Sequence, residues 1–352
     1  MSRFLNEKIS GLEPYVPGEQ PKERKYIKLN TNESPFPPSE NAIKLAREEA
    51  ERLMLYPDPE CRELCLAVAE EYGVSPENVI MTNGSDEVLN FAFMAYCDGN
   101  TPAIFPDITY GFYRVFADVN GIPCEEIPLK DDFTVDIEDY VSKRGTVFIA
   151  NPNAPTGIAL PLEKIEKLIR ANRDRIVVID EAYVDFGGES AVSLVDKYDN
   201  LLVTQTFSKS RSMAGARLGF GIASREIIAD LNRIKYSTNP YNINRMTAAA
   251  GIGAIKDKDY FVNNCEQIIK NRSYVTGELK NLGFELLDSK TNFVFAKHPK
   301  MSGSELYLEL RNRGILVRHF NKERISDFLR ITIGSEDEMR ELILVLTEIL
   351  EK

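Results

Sequence analysis

Tryptophan is absent from this 352-residue chain, and histidine nearly so, with only His298 and His319. So little histidine makes a His-rich metal site a poor expectation, and neither residue stands in a recognisable triad signature. Cysteine is sparse and odd in number: Cys61, Cys65, Cys97, Cys124 and Cys265. An odd count in a chain of this size points to reduced thiols in a cytosol rather than a disulfide framework. Cys61 and Cys65 sit at i, i+4 in a predicted helix, but with both histidines far away in sequence no metal is assigned there.

Positive charge is also short. Lys plus Arg is 43 against 54 for Asp plus Glu, a net charge of −11. That average field repels a phosphate backbone, so no nucleic-acid partner is expected, although a local basic pocket for a small anion stays open. No stretch approaches the roughly 20 apolar residues of a membrane span. The opening MSRFLNEKIS has no apolar signal-peptide core, so a cytoplasmic protein without a membrane partner is expected. No Gly is followed by Lys, so a P-loop is missing; Gly251 and Gly253 lack the third glycine of a dinucleotide fingerprint; no GxSxG elbow occurs.

What is present is ordinary globular material, 43% hydrophobic and 28% charged, long enough for two domains at roughly 150 residues each. The first 30 residues are polar, carry Pro14, Pro17 and Pro21, and read as an extended arm. Ser39 closes the turn-rich TNESPFPPS (31–39) and can cap a helix over 41–54; a second helix is predicted over 60–72, after YPDP (56–59). Strands VIMT (79–82), AIFP (103–106), TVFIAN (146–151), IVVID (176–180), LLVTQTF (201–207) and GFGIAS (219–224) then alternate with helices at 85–96, 111–120 and 162–172. Short, unbroken β-branched runs between helices predict an α/β unit with a mainly parallel sheet covered on both faces. After about Arg245 the pattern changes to a long helix (259–282), the segments FELLD, NFVFAKH, ILVRHF and FLRITI, and a final helix (336–351), a smaller α+β unit. The expected division is an arm at 1–30, a large domain at 31–245 and a small domain at 246–352.

Ligands of open α/β sheets bind beyond the carboxyl ends of the strands, and several strands here end in polar residues. Lys209 follows LLVTQTF; held on a rigid edge and partly desolvated, its amine becomes a nucleophile towards an aldehyde. Alone, a solvated loop lysine is the commoner case. Asp180 ends IVVID, where a carboxylate can keep a pyridine nitrogen protonated or merely cap a helix. Tyr183 can hydrogen-bond an oxygen of the same ring, and Asn153 of NPNAPTG (151–157) can offer its amide to it. NGSDE (83–87) joins a strand to a helix, so Ser85 and the backbone N–H groups there form an anion site. Thr206, Ser208 and Arg217 can complete a phosphate cup, and Tyr110 can stack on a planar ring or pack in the core.

In this order the motifs PYVPG, KLNTNESPFPPS, YPDP, NGSDE, TYGFY, NPNAPTG, DEAYVDF, TFSKS, GARLGF and LRITIG resemble the pyridoxal-phosphate aminotransferases of fold type I, and among them the histidinol-phosphate aminotransferase family. The resemblance covers essentially the whole chain. It implies that Lys209 bonds the aldehyde of pyridoxal 5′-phosphate and shuttles the proton, Asp180 pairs with the pyridine nitrogen, and Tyr183 and Asn153 bind the ring hydroxyl. It places Ser85, Asp86, Thr206, Ser208 and Arg217 around the cofactor phosphate, Tyr110 on the ring, and Tyr56 at the site of a neighbouring subunit of a homodimer. Tyr15, Asn32, Asn292, Arg318 and Arg330 become substrate contacts, the arginines matching phosphate or carboxylate in bidentate fashion. The implied reaction moves an amino group from L-histidinol phosphate to 2-oxoglutarate, giving imidazole acetol phosphate and L-glutamate. An aromatic or broad-specificity aminotransferase, or a decarboxylase of a phosphorylated amino acid, would share these residues. A cofactor-binding regulator is disfavoured by the short polar arm and the acidic charge.

Overall fold

The computed structural model of the chain describes residues 2–141 and 143–351. The arm holds one helical turn, α1 (Glu7–Ser10), and a short strand, β1 (Ile27–Lys28). Two helices follow, α2 (Glu40–Ala50) and α3 (Arg62–Tyr72). Next in order are β2 (Val79–Thr82), α4 (Ser85–Tyr96), β3 (Ala103–Pro106), α5 (Phe112–Asn120), β4 (Cys124–Ile127) and α6 (Glu138–Val141). The large unit continues with β5 (Thr146–Ala150), α7 (Leu162–Ala171), β6 (Val177–Asp180), β7 (Leu201–Thr206) and β8 (Gly219–Ala223). Beyond it run α8 (Arg225–Thr238), α9 (Arg245–Lys256), α10 (Lys258–Asn281), β9 (Glu285–Leu286), β10 (Phe293–Lys297) and α11 (Gly303–Asn312). The chain ends with β11 (Ile315–Leu316), β12 (Arg318–His319), β13 (Phe328–Thr332) and α12 (Glu336–Leu350).

Seven strands form one sheet in the order β2-β8-β7-β6-β5-β3-β4. Only β8 runs against its neighbours; the other pairings are parallel. β5, β6 and β7 are buried along their whole length. Because successive side chains point to opposite faces, Val147, Ile149, Val177 and Ile179 join one core while Phe148, Ala150 and Val178 join another. The sheet is therefore clamped from both sides, and its carboxyl edge is a rigid line on which Asp180 and Thr206 are terminal residues.

The smaller unit is a four-stranded antiparallel sheet, β12-β13-β10-β9, packed with α10, α11 and α12. β1 pairs in parallel with β11 and Leu29 enters the small core, so the arm is sewn onto this unit. The segment ILVRHF, read as one strand, is split: β11 takes the arm while β12 joins β13.

Two expectations need correction. β4 escaped notice because CEEI lies at the sheet edge, where only Ile127 is buried and apolar alternation is lost. The helix after Arg245 does not belong with the small sheet, because α9 packs along α2 and α3 of the large unit. Its glycines make that contact: a Cβ on Gly253 would lie 2.7 Å from the backbone of Ala42 on α2, and one on Gly251 would lie 3.1 Å from the Leu64 side chain on α3. Gly253→Ala gains about 1 kcal/mol of helix propensity but overpacks the α2–α9 contact, typically ~1–3 kcal/mol. A net loss is expected, read as a lower urea midpoint at unchanged slope.

Candidate active site

The site starts with an anion cup where β2, β7 and β8 meet α4. Gly84, at φ +78°, turns the chain from β2 into α4 and leaves the helix's first N–H groups without intrahelical acceptors. A side chain there would meet the Arg217 Nη2 at 2.7 Å, and one on Gly219 would collide with the Ser85 amide. Both glycines thus let the arginine and the helix end approach one point. Arg217 itself sits in the left-handed region, at φ 54°. Its Nη1 donates to Ser208 Oγ (3.4 Å) and its Nη2 to Asp86 Oδ2 (3.1 Å), while Thr206 Oγ1 donates to Ser208 Oγ (3.0 Å).

Ser85, Asp86, Thr206, Ser208 and Arg217 line one end of a cavity of about 320 Å³. Asp180, Tyr183, Tyr110 and Lys209 line the rest, with Thr31 and Glu33 from the arm side. Asp180 is 4% exposed. Its Oδ2 accepts from the Tyr113 hydroxyl (3.0 Å) and its Oδ1 from the Ala182 amide (3.2 Å). Burial pushes its carboxyl up to about 7 against the pull of those two donors. Lys209 is moved the other way, down to about 8, first by burial and then by the field of Arg330. Its amine donates to the Thr31 carbonyl (3.2 Å) and lies 5.8 Å from the centre of the Tyr183 ring. A lysine and a carboxylate that both titrate near neutrality in one cavity are suited to proton transfer.

A second cavity, about 620 Å³, opens from the first and shares Thr31, Tyr110, Ala154, Tyr183 and Lys209 with it. Tyr15, Asn32, Arg318 and Arg330 line it. Arg318 and Arg330 stand directly opposite each other on β12 and β13. Like charges so placed repel, and an anion between them relieves that repulsion. Arg330 donates one Nη2 bond to the Asn30 carbonyl (3.1 Å), and its buried Nε has no partner among the described residues. Arg318 holds the arm through the carbonyls of Val16 (2.9 Å) and Pro17 (3.1 Å). Tyr15 packs on Phe112, with ring centroids 4.4 Å apart.

Of the three asparagines expected at the site, two lie outside both cavities. Asn153 is buried and faces away from the first cavity; its amide donates to Ile108 O (2.9 Å) and Thr156 Oγ1 (3.0 Å), and its carbonyl accepts from Thr109 (2.7 Å). It fastens two loops, and Ala154 is the residue that borders the cavity. Asn292 lines neither cavity: fully buried, it donates to the Asn32 carbonyl (3.0 Å). Asn32 does reach the second cavity, but its amide is spent on the Tyr183 hydroxyl (2.9 Å). Thr332 holds Asn32 from behind at both its amide nitrogen and its side-chain oxygen, and its φ is 55°. Tyr56 is remote from both cavities within one chain; it is 79% exposed and stacked on Tyr241. Tyr110 donates to Asp86 (2.7 Å) at the cup. The residue that sequence reasoning passed over is Tyr113, inside the quoted TYGFY, whose spacing from Tyr110 sets both tyrosines on one side of the α5 start.

The profile of the aminotransferase class I and II family matches residues 24–346. The histidinol-phosphate aminotransferase of Clostridium acetobutylicum is 49% identical over 97% of this chain and 98% of its own length. That of Brachyspira hyodysenteriae is 50% identical over 96% of each. Among solved structures, the histidinol-phosphate aminotransferase from Sinorhizobium meliloti in complex with pyridoxal-5′-phosphate superposes with a TM-score of 0.90 at 26% identity, covering 100% of this chain and 98% of that one.

Burial of Asp180 has a measurable sign. Its folded-state carboxyl titrates at about 7 rather than 3.8, so the unfolded chain releases that proton first and stability falls as pH rises between those values, then levels off. Asp180→Asn removes this share. The stability difference between the two cofactor-free proteins, followed by denaturant unfolding from pH 4 to 8, is expected to move steadily in favour of the variant up to about pH 7.

Proposed function

The chain belongs to the class I and II aminotransferases and, within them, to the histidinol-phosphate aminotransferase family; from that premise we propose that it transfers the amino group of L-histidinol phosphate to 2-oxoglutarate on a pyridoxal phosphate cofactor. One observation carries the proposal. A buried lysine of lowered pKa stands where a cavity with an anion cup and a carboxylate opens into a cavity with two facing arginines.

The residues present fit that cofactor. The cup offers hydroxyls, a guanidinium and a helix N-terminus for a phosphate, Asp180 offers a carboxylate at the other side, and Lys209 lies between with its amine poised for an aldehyde. When bound, pyridoxal phosphate supplies an electron-poor ring that takes up the charge left as a proton leaves the amino-bearing carbon.

The protein's own part is positional and electrostatic. Asp180, once ionised, keeps the ring nitrogen protonated. Tyr183, held by Asn32 (2.9 Å), would bind the ring hydroxyl, and Tyr110 would lie beside the ring in the same cavity. Arg318 and Arg330 take the substrate phosphate in one half-reaction and a carboxylate of glutamate in the other. Lys209 Nζ, mostly uncharged above about pH 8, takes the proton from the substrate carbon and returns it to the cofactor side; a positioned base of this kind contributes ~10²–10⁴-fold.

A homodimer completes the assignment. Leu53, Met54, Leu55 and Tyr56 are each more than half exposed in a row. Arg245, braced by Glu49, fixes the Tyr56 carbonyl (3.1 Å) so that the segment stands out as a unit. A second copy covers this segment, and Tyr56 reaches the copy's phosphate cup. The five free thiols, four of them buried, fit a reducing cytoplasm.

Two measurements test the proposal. In single-turnover visible spectra, L-histidinol phosphate is expected to convert the cofactor band rapidly, and Arg330→Ala to weaken its apparent affinity by ~10–100-fold, the loss of a charge-assisted pair. Conversion by phenylalanine or tyrosine alone would leave an aminotransferase of other specificity, and loss of carbon dioxide a decarboxylase. In sedimentation experiments the protein is expected as a dimer, with Tyr56→Ala lowering cofactor affinity; a fully active monomer would refute the shared site.

A further inference from the structure

We propose that Tyr113 is the positioning residue of Asp180, its phenol holding that carboxylate ionised and aimed at the cofactor's ring nitrogen. The inference rests on the assignment of pyridoxal phosphate above and concerns a residue that does not itself line the cavity.

A buried carboxylate normally keeps its charge through a cation or several strong donors. Among the described residues no cation pairs with Asp180. Its bonds come from the Ala182 amide and the Tyr113 hydroxyl, one on each oxygen. The other titratable groups that face it are Asp86 from α4, Tyr110 from the start of α5 and Tyr183 from its own loop; Lys209 and Arg217 stand on other walls of the same cavity. Asp86 opposes ionisation of Asp180, so the two neutral donors hold the charge, and only one of them is a side chain.

Tyr113 is built for that single bond. It is fully buried, and burial together with Asp180 holds its phenol well above the ordinary tyrosine value, so the proton stays on the tyrosine and the bond runs from phenol to carboxylate. The ring is clamped by Tyr110, edge-on at 5.7 Å, by Phe105 at 5.7 Å and by Phe148 at 5.8 Å. A donor so enclosed has no water to turn to. The carboxylate it meets is thereby kept in one rotamer at the end of β6.

Tyr113→Phe keeps the packing and removes only the donor. Loss of a hydrogen bond to a charged group should raise the Asp180 midpoint by about one to two pH units. In cofactor-free protein this is read as an upward move of the Asp180-dependent stability transition, comparing Tyr113→Phe with the Tyr113→Phe/Asp180→Asn double variant. In protein loaded with ¹⁵N-ring-labelled pyridoxal phosphate, the nitrogen resonance should move towards that of unprotonated pyridine. Incorporating 3,5-difluorotyrosine at 113, a stronger donor of nearly the same shape, should move both signals the opposite way, and serves if the phenylalanine variant does not fold. An unmoved transition together with an unmoved nitrogen shift in the altered protein overturns the proposal. Failure of the unaltered protein to take up pyridoxal phosphate overturns the cofactor assignment instead, and the cofactor-free titration still decides the role of Tyr113.

Discussion

Everything at this site depends on withholding water from two ionisable groups that form no ion pair among the described residues. Desolvation raises the Asp180 carboxyl and lowers the Lys209 amine until the two titrate within about one unit of neutrality. A salt bridge would have anchored each at its ordinary extreme and left neither able to exchange a proton. Neutral partners hold them: the Tyr113 hydroxyl and the Ala182 amide donate to Asp180, and the Thr31 carbonyl accepts from the lysine amine. Neutral partners fix direction while leaving charge adjustable, as the roles proposed for Lys209 and Asp180 require.

The cost of such an arrangement is borne by the sheet behind it. β5, β6 and β7 are buried on both faces, so their carboxyl ends cannot relax towards solvent. At the anion cup Arg217 is held at φ 54°, beside Gly84 at φ +78°. Backbone held in sparsely populated regions persists only where the surroundings over-determine it. Here the neighbouring pairing of β7 with β8, ending at Thr206 and Gly219, does so.

Much of this was legible in the sequence. Lys209, Asp180 and Arg217 stood out because each adjoins a strand whose apolar run has no other interpretation, and a buried strand fixes where its terminal residue goes. The asparagines were not legible. Asn153, Asn292 and Asn32 all carry amides that suit a ligand, but which partner an amide finds is decided by what tertiary packing brings beside it: Ile108, Asn32 and Tyr183 in turn. Tyr113 was hidden for a related reason, since only the direction of α5 against β6 turns one tyrosine of TYGFY inward to a carboxylate 67 residues away. β4 and α9 were missed because a half-exposed edge strand and a helix rich in alanine and glycine carry weak periodic signals. Within its own chain Tyr56 meets Tyr241 and Arg245, away from both cavities.

The stretch 30–32, one residue beyond the end of β1, carries a constraint of chain length. The Asn30 carbonyl holds Arg330, the Thr31 carbonyl holds Lys209, and the Asn32 amide holds Tyr183. The anchors of Arg330, Lys209 and Tyr183 are thus three consecutive residues of a bent backbone, with Asn32 in the left-handed region at φ 55°. Gaining or losing a single residue there would slip all three attachments by one step together, since β1 pins one end to β11 and Thr332 pins the other. Chain length between 28 and 32 is therefore as much a part of the active site as any functional group, and a stretch that can vary in composition has no freedom to vary in count.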